Sequence, residues 1–130
     1  VVPTQAGFRV SLGIWPAATR RQILLRTENA FTLEAGNDGT LIVNAILRGR
    51  DARRLESGLA LPTGRWSRVE LSYEPGQGFR LSVDGQASDL LACEPPLAAL
   101  YAQTLFGGYG SAPAVYFEGW LRALRVVHRP

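Results

Sequence analysis

The stretch from Gly64 to Gly85, GRWSRVELSYEPGQGFRLSVDG, constrains the fold more than any other part of this chain. Val69, Leu71 and Tyr73 alternate with Arg68, Glu70, Ser72 and Glu74. After a turn cluster, Pro75-Gly76-Gln77-Gly78, the residues Phe79, Leu81 and Val83 alternate with Arg80, Ser82 and Asp84. A period of two sends successive side chains to opposite faces, so each run reads as a strand with one buried face. The Pro/Gly cluster between them makes the pair a hairpin. Asp84-Gly85 turns the chain again, because that dipeptide readily takes φ > 0.

The same rhythm recurs along the chain. Phe8, Val10, Leu12 and Ile14 alternate with Arg9, Ser11, Gly13 and Trp15, and Pro16 closes the run. Residues 22–27 form a more continuously apolar strand, then Phe31, Leu33 and Ala35 lead to the turn Gly36-Asn37-Asp38-Gly39. Residues 41–47 read as a buried strand, residues 48–58 as a charged rim loop, and 59–61 as a short strand ended by Pro62. Pro95-Pro96 rules out a continuous helix or central strand across 90–103 and leaves room for a helical turn over 97–101. Thr104 to Phe106 is a short strand, and 115–127 the last strand region, with Gly119 at a bulge or close backbone approach. Short strands at this spacing, with almost no helical period, predict an all-β sandwich or barrel.

At 130 residues the chain makes one domain with a core that needs no staples. No apolar run approaches the roughly 18 residues of a membrane helix, so no membrane insertion is expected. The sequence has no Met and opens on Val1, which reads as a mature or excised piece of a longer chain. Cys93 is the only cysteine and reads as a small buried hydrophobe. All 14 basic residues are arginine, and the net charge of +3 permits an anionic partner without demanding one. Nucleic acid is disfavoured, since there is no helix to enter a groove and the basic excess is small.

Three stretches carry a resemblance to the laminin G-like domains of the concanavalin A-like lectin/glucanase superfamily: FRVSLGIWP, the Gly64–Gly85 hairpin, and LFGGYG followed by FEGWLRALRVVHRP. Their order and spacing span residues 8–130. The resemblance implies a two-sheet antiparallel β-sandwich, a jelly roll of about a dozen strands. It implies an additional strand upstream, of which Val1-Val2-Pro3 reads as a remnant. It also implies a non-catalytic binding module for carbohydrate or a protein surface, and an extracellular, periplasmic or cell-surface place in a bacterial, multidomain protein. The alternative is a structural accessory domain packed on a neighbour. Calcium is a family habit for which no matching acidic motif is found here. The family commonly has Trp where this chain has Gly13, with Trp at 15 instead.

Laminarinase-type glycoside hydrolases share the superfamily fold and carry Glu, apolar, Asp, apolar, Glu on one strand. Glu70-Leu71-Ser72-Tyr73-Glu74 mimics this with Ser72 in place of the Asp. Two Glu at i, i+4 lie about 13 Å apart by strand rise, wider than a glycosidase pair unless the strand bends. A solvated outer strand face accounts for them, and no catalytic residue is assigned. His128 has no second imidazole, and Gly107-Gly108-Tyr109-Gly110 precedes no helix. Asp38 and Asp84 have explanations as turn residues, and a metal site from Asp38, Asp51 or Asp89 is a weaker alternative.

Three features remain as candidate ligand contacts. Arg48, Arg50, Arg53 and Arg54 form an arginine cluster interrupted by Asp51 and Glu56. It reads as a rim loop with local ion pairs or, more sharply, as a patch for sulfated or uronic-acid glycans. Trp15 lies opposite the apolar face of its strand, and Trp120 sits beside Gly119. The first and last strands of such sandwiches are often neighbours, so the two indoles are expected together on an outer sheet face. There they form a sugar-stacking platform, a docking surface, or a patch covered by a loop of the same domain. Tyr109 completes the set. Trp66, at the start of its strand, is expected in the core.

Overall fold

A computed structural model of the chain describes residues 2–3, 7–27, 30–47, 51–95, 97, 101–102, 104–106 and 117–128. Among them no helix occurs, so none is long and apolar enough to cross a membrane. The strands are β1 (Val2–Pro3), β2 (Phe8–Pro16), β3 (Gln22–Thr27), β4 (Phe31–Ala35), β5 (Thr40–Ile46), β6 (Ala52–Ala60) and β7 (Ser67–Glu74). They continue as β8 (Gly78–Val83), β9 (Gln86–Ala87), β10 (Leu91–Ala92), β11 (Tyr101–Ala102), β12 (Thr104–Phe106) and β13 (Gly119–His128). Two antiparallel sheets carry the sandwich: β10-β8-β7-β2-β13, with β9 beside β8, and β12-β3-β4-β5-β6. β1 and β11 form a separate two-stranded ribbon.

The alternation in sequence becomes the inner faces of these sheets. Phe8, Val10 and Leu12 lie opposite Tyr73, Leu71 and Val69, which lie opposite Phe79, Leu81 and Val83. All are buried, and they meet Phe31, Leu33, Leu41 and Val43 of the second sheet in one core. Phe31 bridges the two layers. Its ring lies 5.5 Å from Phe8 and 5.6 Å from Phe79, with Tyr73 packed between those two at 5.3 and 4.8 Å. Offset and tilted rings at such separations add to the area they bury. Cys93 is fully buried beside this core, and burial pushes its thiol up.

The turns follow their residues. Asp84 and Gly85 take φ of 50° and 86° in the two-residue connection from β8 to β9. Asp84 also ties the hairpin to its neighbour: its Oδ1 accepts from the Arg68 N–H at 2.8 Å, and its Oδ2 pairs with Arg65 at 3.3 Å. Gly119 makes the expected close approach. At φ 150°, a Cβ there would fall 2.1 Å from the Trp15 carbonyl oxygen.

Three expectations are corrected. The charged segment read as a rim loop is mostly the edge strand β6, paired with β5 from Ala52 to Ala60. Leu59 is buried and Leu55 and Ser57 partly so, while Arg54 and Glu56 face water. The alternation is present but diluted by charge, which suits an edge strand because charged side chains discourage a further strand from pairing. Leu97, placed at the start of a helical turn, is instead a buried residue bridged to Leu47. Trp66 is not core: it stands 38% exposed. It has the parity of Arg68 and Glu70, the outer face, and not that of Val69 and Leu71.

Candidate functional site

β2 and β13 run antiparallel in direct register, with Trp120 opposite Trp15, Arg122 opposite Gly13 and Arg125 opposite Ser11. On the other flank of β2, Gly13 faces Arg68 and Ile14 faces Ser67. Continuing that register by one residue sets Trp66 across from Trp15. The three tryptophans of the chain thus share one end of the outer face of one sheet. Trp15 is partly buried between its neighbours, and Trp120 is 66% exposed.

Arg122 binds this row together. Its guanidinium carbon lies 3.8 Å from the centroid of the Trp66 ring, a cation–π stack. To reach it, the side chain crosses over Gly13, where a Cβ would come within 2.8 Å of Arg122 Cγ. The missing side chain at 13 is therefore space that Arg122 uses. Beside this stack, Arg68 Nε pairs with Glu70 at 3.1 Å and Arg68 Nη2 donates to Ser11 Oγ at 3.3 Å. Glu70, the carboxylate of the hydrolase-like pattern, is engaged in an ion pair. Ser72, which stands where that pattern needs an acid, lies between it and Glu74 on the strand.

The arginine cluster does not come together as one patch at its described residues. Arg53 and Arg54 are exposed on β6, opposite Ala45 and Asn44 of β5, in the other sheet. Adjacent residues of a strand point to opposite faces, so the two diverge. Arg54 Nε pairs with Glu56 at 3.3 Å and, with Asp38 and Thr40, lines an open cleft of about 510 Å³. Arg48, Arg50 and Tyr109 lie outside the described residues, as does the side chain of His128.

Asp38 accepts the Thr40 N–H at 3.0 Å, and that bond holds its carboxyl below the usual carboxylate value. Calcium needs six or more oxygens from several loops. Among the described residues no three Asp, Glu, His or Cys side chains gather, so Asp38, Asp51 and Asp89 do not form one site.

Two contacts of the tryptophan row were missed in the sequence, Trp66 and Arg122. Strand parity carried the signal for both. Trp66 lies two residues before Arg68, and Arg122 two residues after Trp120.

A laminin G family model of the concanavalin A-like lectin/glucanases superfamily matches residues 11–130. A search of curated proteins finds no match. Among solved structures, the fold is similar to a heptameric SAP-like pentraxin from Limulus polyphemus, at TM-score 0.72 and 16% identity over 96% of this chain and 65% of that one. It is similar to domains LG4-5 of the mouse laminin alpha1 chain, at TM-score 0.73 and 18% identity over 95% of this chain and 36% of that one. It is also similar to botulinum neurotoxin type C, whose cell entry depends on interaction with two ganglioside molecules. That likeness has TM-score 0.66 and 9% identity over 93% of this chain and 32% of that one. The chain spans less than two thirds of the length of each.

Proposed function

The chain belongs to the concanavalin A-like lectin/glucanases superfamily as a laminin G-like domain, and on that basis we propose that it is a non-catalytic binding module for carbohydrate. The observation that carries this reading is the exposed Trp120, set beside Trp15 and the Arg122–Trp66 stack. A large aromatic left mostly in water forfeits its own burial energy, and a flat ring on a rigid sheet offers a stacking surface to the apolar face of a sugar. Backbone hydrogen bonds on both sides of β2 fix the row, so little ordering is needed on binding. The likeness to a neurotoxin that depends on gangliosides supports the same class of ligand. An exported location, outside the cell or at its surface, belongs to this reading.

The test is a glycan array probed with the chain and with Trp120→Ala. Binding of one or more glycans by the wild type, weakened at least about tenfold in the variant, is the expected result, since losing one stacked aromatic costs on the order of 1–3 kcal/mol. Arg54→Ala is expected to leave those affinities unchanged. Hydrolysis of a bound glycan that disappears in Glu70→Gln would overturn the non-catalytic part.

A second reading has its own observation. Leu121 is exposed next to Trp120, and β13 is an edge strand of its sheet. An accessory domain packed on a neighbour through that edge would show the same two side chains, with every glycan array blank.

A further inference from the structure

We propose that Arg122 makes the tryptophan face selective for glycans that carry a carboxylate, uronic-acid polysaccharides. This rests on the carbohydrate-binding reading and names the ligand class of that same site. The guanidinium lies over the Trp66 ring, so one of its π faces is occupied. Its N–H donors radiate from the edge of the plane, and that edge is the part that forks a carboxylate. Among the described residues no carboxylate pairs with Arg122, whereas Arg54, Arg65 and Arg68 each have an acidic partner within 3.3 Å. An arginine that is stacked, exposed and unneutralised is oriented in advance for an anion.

The rest of the face has the matching charge. Its outward side chains on β2, β7, β8 and β13 include five exposed arginines, Arg9, Arg68, Arg80, Arg122 and Arg125, against two carboxylates, Glu70 and Glu74. Arg68 and Arg122 stand at the tryptophan end of this face, Arg125 along its middle, and Arg9 and Arg80 at its opposite end. Geometry sets the size of the ligand. Trp120 and Trp66 are two strands apart, about 10 Å at ordinary strand spacing. A ring stacked on Trp120 therefore reaches the guanidinium only through a further sugar, which makes the ligand an oligosaccharide running across the strands. Gly13 keeps the path over β2 low enough for Arg122 to lie flat.

The experiment is calorimetric titration with uronate oligosaccharides (oligogalacturonate, oligoalginate and glucuronoxylan fragments), each against its carboxyl-reduced counterpart. The wild type is expected to bind at least one uronate about tenfold or more tightly than its reduced form, with an advantage that shrinks as salt rises. Arg122→Gln should erase the advantage, so that the uronate binds no more tightly than its reduced form. Arg122→Lys, which keeps the charge but not the fork, should recover only part of it. Arg54→Gln should change neither affinity. Thermal midpoints equal to wild type establish that the variants are folded. Equal affinity for both forms, or an advantage that survives Arg122→Gln, would sink the proposal and leave carbohydrate binding standing. Failure of every charged and neutral glycan to bind would sink both.

Discussion

Tyr73 shows how a single group can stand at odds with its surroundings. It is 1% exposed, and its hydroxyl closes no hydrogen bond of good geometry, although the Leu97 backbone lies near. A buried, unpaired hydroxyl costs about 1–3 kcal/mol of desolvation. Tyr73→Phe is therefore expected to leave stability unchanged or raise it by about 1 kcal/mol, measured by urea denaturation at neutral pH. Burial, with the nearby Cys93 thiol, pushes the phenol above its ordinary value. The sign follows from proton uptake. Above about pH 10 the unfolded chain releases the Tyr73 proton while the folded one keeps it, so stability present below that pH is lost as pH rises. Denaturation at pH 8 and pH 11 should show a smaller alkaline loss in Tyr73→Phe than in wild type. An equal loss in both would show that this phenol does not contribute.

At the scale of elements, the pairing of β2 with β13 decides where the tryptophans go, and Gly119 permits the close approach at the tryptophan end of that pairing. Its φ of 150° is a region that side chains rarely adopt, and the Trp15 carbonyl occupies the place of its missing Cβ. Gly119→Ala should destabilise the chain by roughly 2 kcal/mol or more, read from the denaturation midpoint. If the tryptophan row binds glycan as proposed, the change in tryptophan emission on glycan addition should also be smaller in this variant, because the contact that holds Trp15 beside Trp120 is disturbed. A variant as stable as wild type would mean that β13 enters the sheet without that contact. β6 carries the opposite lesson. Its charges made residues 48–58 look like a loop, yet charge is what an edge strand uses to stay unpaired.

For the whole molecule, stability rests on contact between two sheets made at a few large side chains. Phe31 belongs to one sheet and stacks on Phe8 and Phe79 of the other. Phe31→Ala should cost about 3–5 kcal/mol and lower the midpoint of a single unfolding transition, because neither sheet keeps a covered inner face alone. Two separate transitions by circular dichroism and fluorescence would show that the sheets are not one cooperative unit.

The strands and their inner faces were legible because alternation is a local property: the large buried side chains of β2, β7 and β8 follow from parity and the turn between the runs, whereas Ser11 and Gly78 are buried on the other parity. The Asp84-Gly85 and Gly36–Gly39 turns were legible for the same reason, since their residues are selected by backbone dihedrals. Parity also told that Trp15 points away from the core. Trp66 was misplaced because it lies just outside its strand, where size suggested burial before parity was applied. For Arg122, parity with Trp120 gave the outer face but not what the side chain meets there. Its role depends on Gly13 of β2 and Trp66 before β7, which are separated from it by long stretches of chain and meet only through strand order. The sequence by itself determined an all-β fold, its turns and the inward or outward sense of most side chains in the alternating runs. Tertiary structure alone decided that an arginine from the last strand lies across a glycine of β2 onto a tryptophan beside β7, because lateral strand order is set by the packing of the whole core and not by any local pattern.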